Sequence, residues 1–296
     1  MTESAGTANY QAPADPGAPA AAPPRPSGWA VWRRRLFSWD NLVITAVFGV
    51  VVGSWFLVSD AVGAQWVSSP SLVAHAFVTD ARNGSLSRNT IATLKETIFG
   101  LVLGVLAGVV VGVLLGSAPA LIRRGLYPYI LGAYSLPRVA LAPFFVLWFG
   151  IGLESKVFLV VSVVGFVVLF NVQQGLQAID RDMVNVLRTM RAGPLQTIRY
   201  VVVPSLVPWI VSATKISVGL AVVSAVVGEM VGATEGLGWK VTFALSQADM
   251  TGAVSSLLVM SAMALFLYAI VALIERRILR WQAPAAGLDR QKTMVM

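Results

Sequence analysis

Cysteine is absent from this 296-residue chain, and histidine occurs once. Without cysteine there is no disulfide, no thiolate metal centre and no Cys-based redox chemistry. The single His75, followed by Ala76 and Phe77, leaves no H-E-x-x-H zinc site. It reads as a structural residue of an external loop, because a site needs convergent partners. None of the five lysines follows a glycine, so a G-x-x-x-x-G-K-[ST] phosphate loop is missing and ATP hydrolysis by that route is excluded. No serine sits in G-x-S-x-G. Charge is scarce as well, at 12% of residues. Catalysis by this polypeptide alone is not expected, and it needs no cofactor of its own.

What the chain has is apolar length. Hydrophobic residues make up 56% of it, arranged in long blocks rather than in alternation. Six blocks stand out, at 42–60, 90–117, 127–149, 155–175, 205–231 and 254–274. Each is near or above the roughly 20 residues a helix needs to cross the hydrocarbon layer. The expected class is an all-α polytopic membrane protein with about six transmembrane helices. The first 40 residues, rich in Pro and Ala, read as a disordered tail ending in a basic anchor, and 283–296 as a second tail. The membrane domain is expected at 41–282. A secretory signal fits poorly: a long tract without basic residues precedes the arginine cluster, and the following apolar run is too long, so AVGA at 61–64 is not expected to be cut.

Orientation follows from the basic residues. With the amino terminus inside and six alternating spans, fifteen Lys and Arg fall inside, five outside and two within spans. That bias predicts both termini in the cytoplasm. It also accounts for the net charge of +8 without nucleic acid, since no stacking aromatics interleave the basic residues.

Gly100, Gly104, Gly108, Gly112 and Gly116 recur every fourth residue through the second span. Small residues at that spacing let helix backbones approach closely, the usual driving force for association in lipid. The plainer outcome is a tight crossing within the subunit; the sharper one is a subunit–subunit interface. Three ionisable residues lie in or beside spans. Arg138 follows Pro137 midway through span three, with Pro143 beyond, which predicts a kinked or broken helix. Lys215 lies about three turns into span five. Glu229 ends that span, stands nearly alone as an intramembrane acid, and precedes the glycine-rich GATEGLG. All three are candidates for lining a path for a polar or anionic solute. Snorkelling for Arg138 and an interfacial anchor for Glu229 are the simpler readings, while Lys215 stays open between the two.

Between spans four and five lies the polar, basic segment Asp180–Pro208, far longer than a turn requires. Met183, Val184, Leu187 and Met190 fall near one helical face, with Arg181, Arg188 and Arg191 elsewhere around it. Such a helix either docks another protein or rests on lipid headgroups.

Three motifs in order, SLPRVALAPFFVLWFGIGL at 135–153, the segment 180–208 and GEMVGATEGLG at 228–238, resemble the permease subunits of bacterial ABC importers. The likeness runs from about residue 40 to 282 and is strongest to the group handling nitrate, sulfonates and taurine. It implies a type I importer fold and a coupling loop at about 180–204. In that family an E-A-A-x-x-x-G stretch forms the coupling helix that docks on the ATPase. Here E-A-A falls on Asn185, Val186 and Leu187, and the glycine on Arg191, so this chain departs at each. Arg188, Thr189, Ala192, Pro204 and Pro208 are retained in type. By resemblance Val184, Asn185, Leu187, Arg188, Thr189, Arg191, Ala192 and Gly193 contact the ATPase. Exchanging Gly for Arg inside a helix is expected to favour helix by up to about 1 kcal/mol. The resemblance further implies an ATPase subunit holding ATP and Mg, a second permease copy (a homodimer), an extracytoplasmic solute-binding protein, and a small polar or anionic solute. The rival is a secondary transporter or channel driven by an ion gradient, disfavoured by the lack of an evident internal repeat with matching broken helices.

Overall fold

The computed structural model describes residues 39–63 and 66–281, and every regular element among them is helical. Both expected tails lie almost wholly outside these residues, as does part of AVGA. Helix α1, Trp39–Val62, begins in a small unit reaching Ser54, while everything from Trp55 onward belongs to a second unit. Within the second unit, Trp55 Nε1 donates to Ser68 O at 2.9 Å and Ser59 Oγ to Val67 O at 2.8 Å.

Helix α2, Pro70–Arg82, was not expected. It starts where Ser69 accepts from Leu72 N and Pro70 takes a first-turn position that needs no N–H, and it carries His75 on an exposed face. Helix α3, Ser85–Ser117, is 33 residues long, about 50 Å, and its first third bears polar side chains that the hydrocarbon layer does not require. The third span is broken: α4, Ala120–Ser135, and a segment running through a 3₁₀ turn (Arg138–Leu141) into α5, Ala142–Phe149, meet at 80°. Pro137 and Pro143 cannot donate to an unbroken ladder, which accounts for the break.

Helix α6, Leu153–Gln177, is the centre of the bundle, with α3 on one side and α8, Val203–Val231, on another. Val160, Val164, Val168 and Val172 have no exposed surface. Between α6 and α8 lies the short α7, Arg181–Thr189, followed by a helical turn, Pro194–Thr197, and a π segment, Ile198–Val202. Helices α9, Leu237–Ser246, and α10, Met250–Ile278, complete the described chain. Among the described residues five helices are long and apolar enough to span a membrane, or six if the bent pair is taken as one span. These six correspond to the six expected blocks; α2 and α9 are the additions.

The glycine stripe lies inside the chain. Gly100, Gly104, Gly108, Gly112 and Gly116 face Val160, Val164, Val168, Val172 and Leu176 in turn, so α3 and α6 run parallel in fixed register. A methyl added at Gly104 would sit 2.8 Å from Val164 Cβ, and one at Gly112 2.9 Å from Val172 Cβ. Those Cβ atoms hang directly on the backbone and cannot swing aside, so the glycines set the helix separation.

Candidate functional site

Functional side chains gather at the two ends of the bundle. At one end, where α3 and α6 begin and α8 finishes, the polar first third of α3 meets the GATEGLG turn. Helix α9 starts here, and its first N–H groups have no intrahelical acceptor. Asn89 Oδ1 accepts from Gly236 N at 2.8 Å and Thr93 Oγ1 from Leu237 N at 2.8 Å. Glu229 Oε2 accepts from Gly238 N at 2.5 Å. Thr93 in turn donates to Glu229 Oε1 at 2.6 Å. The start of α9 is thus capped by side chains of two other helices, with a carboxylate at the positive end of the helix dipole.

The glycines in this turn have geometric reasons. Gly236 has φ +118°, a conformation that only glycine adopts freely, and any Cβ there would strike the Glu229 carboxyl group. At Gly238 a Cβ would lie 2.5 Å from Val226 O.

Two further ionisable groups join this knot. Glu96, one turn beyond Thr93, is buried and brings its carboxyl group within hydrogen-bonding reach of Glu229. Lys156, 1% exposed, donates to the carbonyls of Ile151 and of Gly152 (2.9 Å) and lies in the field of both glutamates. A cation in the first turn of α6 opposes that helix's dipole, and the two carboxyl groups compensate it. The expectation that Glu229 anchors at the interface and stands nearly alone is therefore corrected: it is 1% exposed and shares its surroundings with Glu96 and Lys156. A cavity of about 470 Å³ opens beside the knot, lined by Arg88, Lys95, Glu96, Lys156 and Glu235.

Arg138 and Lys215 are also held. The Arg138 guanidinium donates to Tyr134 O at 2.9 Å and stacks over the rings of Tyr134 (4.8 Å) and Phe166 (4.5 Å). It caps the end of α4 at the break, where backbone carbonyls lose their helical partners. Lys215 Nζ pairs with Glu275 Oε2 of α10 at 2.7 Å and lies over the Tyr268 ring. Both charges are engaged within the chain.

At the opposite end stands α7. Asp180 accepts from Asp182 N at 2.9 Å and starts the helix. At its finish, Arg191 N donates to Arg188 O and Ala192 N to Leu187 O, both at 3.0 Å, the paired bonds of a Schellman motif. Arg191 holds the left-handed position with φ +58°. This corrects the reading of the Gly-to-Arg departure: position 191 lies just past the helix, where glycine is favoured, so arginine costs stability rather than adding it.

The faces of α7 also differ from the expected ones. Met183, Val186 and Met190 are 59%, 56% and 72% exposed and share one face, whereas Val184 and Leu187 are half-buried. Arg181, Val184, Asn185 and Arg188 lie on the other face and line a cavity toward the spans. Thr189 Oγ1 bonds back to Val186 O at 2.7 Å, and Gly193 N donates to Gln196 Oε1 at 2.8 Å, fixing the exit. Sequence reasoning missed Asn89, Thr93, Glu96 and Lys156, whose common signal was a polar side chain at the end of an otherwise apolar block.

Residues 108–280 match the family described as binding-protein-dependent transport system inner membrane component. The chain is 34% identical to a riboflavin transport system permease protein of Chloroflexus aurantiacus, over 73% of this chain and 80% of that one. It is 25% identical to the taurine transport system permease protein of Escherichia coli, over 67% and 68%. Among solved structures, an inward-facing MetNI methionine ABC transporter gives a TM-score of 0.56 at 22% identity, over 69% of this chain and 99% of that one, a likeness of fold. With the helical bundle and the match over more than half its length, this chain belongs to the binding-protein-dependent transport inner membrane components, the permease subunits of ABC importers.

Proposed function

We propose that two copies of this chain frame one pathway across a bacterial cytoplasmic membrane, with both termini inside. A separate ATPase, which binds ATP and Mg, engages α7, and an external binding protein delivers the solute. The observation that carries the reading is the exposed Met183–Val186–Met190 face on a helix capped at both ends. An apolar face held in a fixed shape suits a protein groove. Helix α7 is chained through the π segment to α8, so a pull on it reaches a spanning helix; Asn185, Leu187, Arg188, Thr189, Ala192 and Gly193 shape or brace that joint. Movement between two packed states under ATP would provide alternating access.

The solute is proposed to be small and polar or anionic, in keeping with the taurine relative; the riboflavin relative widens the range. With Arg138 and Lys215 both engaged, they contribute to the path by shaping it rather than by presenting unpaired charge. Energy source is the discriminating test. Uptake into vesicles bearing this chain, its ATPase and its binding protein is expected to require ATP inside and to survive collapse of ion gradients. Uptake by the chain alone, abolished by an ionophore, would assign it to gradient-driven carriers.

A further inference from the structure

A cavity of about 830 Å³ lies between the inward face of α7 and the adjoining ends of the spans. Its lining includes three arginines, Arg123 from α4 and Arg181 and Arg188 from α7, together with Gln173, Gln177 and Asn185. Among the described residues, no Asp or Glu lines it. The ion pairs among the described residues are Lys215–Glu275 and Lys240–Asp80, so none of the three arginines has a carboxylate partner there. Three basic residues around one cavity make its potential positive, which a counter-anion would neutralise. Guanidinium forks and amide N–H groups match the several acceptor oxygens of a tetrahedral oxyanion.

We propose that this cavity is a binding site for a phosphate-type anion, one that ties α7 to the spanning helices. The phosphate has two possible sources. One is the headgroup of an anionic phospholipid in the adjoining leaflet, for which basic pockets between membrane helices are suited. The other is free phosphate from the aqueous side. Binding rests on the cavity and its arginines alone; the consequence, that the occupant sets how firmly α7 is held when an ATPase pulls on it, rests on the permease reading.

The test uses the full chain in nanodiscs, with unfolding temperature and native mass spectrometry as readouts. Zwitterionic phosphatidylcholine discs in phosphate-free buffer form the baseline. One arm adds phosphatidylglycerol to the discs, the other inorganic phosphate to the buffer. The site predicts a raised unfolding temperature in at least one arm, with the anion retained in the mass spectrum. Response to phosphatidylglycerol alone assigns the lipid, and response to phosphate alone assigns the free anion. Affinity should fall roughly tenfold or more for each of Arg123→Gln and Arg188→Gln, while Arg124→Gln, outside the cavity, leaves it unchanged. Should one of these variants misfold, the other carries the same comparison. Absence of response in both arms, or an equal response in Arg124→Gln and Arg188→Gln, would overturn the site. Filling of the cavity only when an ATPase is added, with neither anion retained, would overturn it in favour of a protein carboxylate.

Discussion

The two ends of this bundle treat polar groups in opposite ways. At the Glu229 end, buried Asn89, Thr93, Glu96, Lys156 and Glu229 are drawn from three helices, and Asn89, Thr93 and Glu229 cap the start of a fourth. At the α7 end, Arg181 and Arg188 have no carboxylate partner among the described residues, and Met183, Val186 and Met190 face outward. Buried polar groups are mostly paired inside the chain, because an unpaired one loses its hydration without compensation. Exposed apolar and unpaired basic groups are complete only with something added. At the first end the chain itself satisfies most of these groups, Glu96 Oε2 excepted, whereas at the second it leaves basic and apolar groups unmatched among the described residues.

The sharpest way to break this contrast is Glu229→Ala. It removes the acceptor for Thr93 and Gly238 and leaves Lys156 with one carboxyl group fewer. A loss of about 3 kcal/mol or more is expected, read as a lowered unfolding midpoint in detergent. Glu275→Ala, which deprives Lys215 of its partner where both side chains are a quarter or more exposed, should leave that midpoint nearly unmoved.

Next in size is the glycine seam. Gly104→Ala should destabilise by about 1–3 kcal/mol, because overpacking against Val164 Cβ outweighs the better helix propensity of alanine. Gly219→Ala in α8, where a Cβ meets nothing within 4 Å, should be neutral or stabilising by up to about 1 kcal/mol. Equal effects at both positions would remove the seam from the account.

The smallest effect has the opposite sign. Arg191→Gly relieves a left-handed arginine and should raise stability by up to about 1 kcal/mol, with hydrogen exchange slowed at the Arg191 and Ala192 amides. A destabilised variant would show that the Arg191 side chain makes a contact worth more than the strain.

Much of this architecture was legible in order along the chain. Apolar blocks near 20 residues mark spans, and Pro137 with Pro143 marks the break, because both signals are local. The five glycines announced a close approach, but not that Val160, Val164, Val168 and Val172 would meet them, since the partner helix lies 60 residues away in sequence. The knot was illegible for the same reason. Asn89 and Glu96 lie far along the chain from Lys156 and from Glu229, and only the fold brings them together. The α7 faces were misjudged, with Val186 joining Met183 and Met190 on the exposed face and Val184 and Leu187 turning inward, because a helix of nine residues offers too few turns to fix its buried side from periodicity. The Arg191 departure was misread because a glycine just past a helix and one within it look alike until the end of the helix is known.

Co-purification from native membranes is the most direct test of the central claim, that α7 is the docking element of a permease subunit. The chain is compared with a Met183→Asp, Met190→Asp variant, both solubilised in mild detergent. The account predicts an ATPase subunit carrying a phosphate-binding loop in stoichiometric amount with the native chain. It predicts loss of that subunit from the variant, at unchanged unfolding temperature and membrane insertion. Retention of the ATPase by the variant, or recovery of the native chain without one, would contradict it.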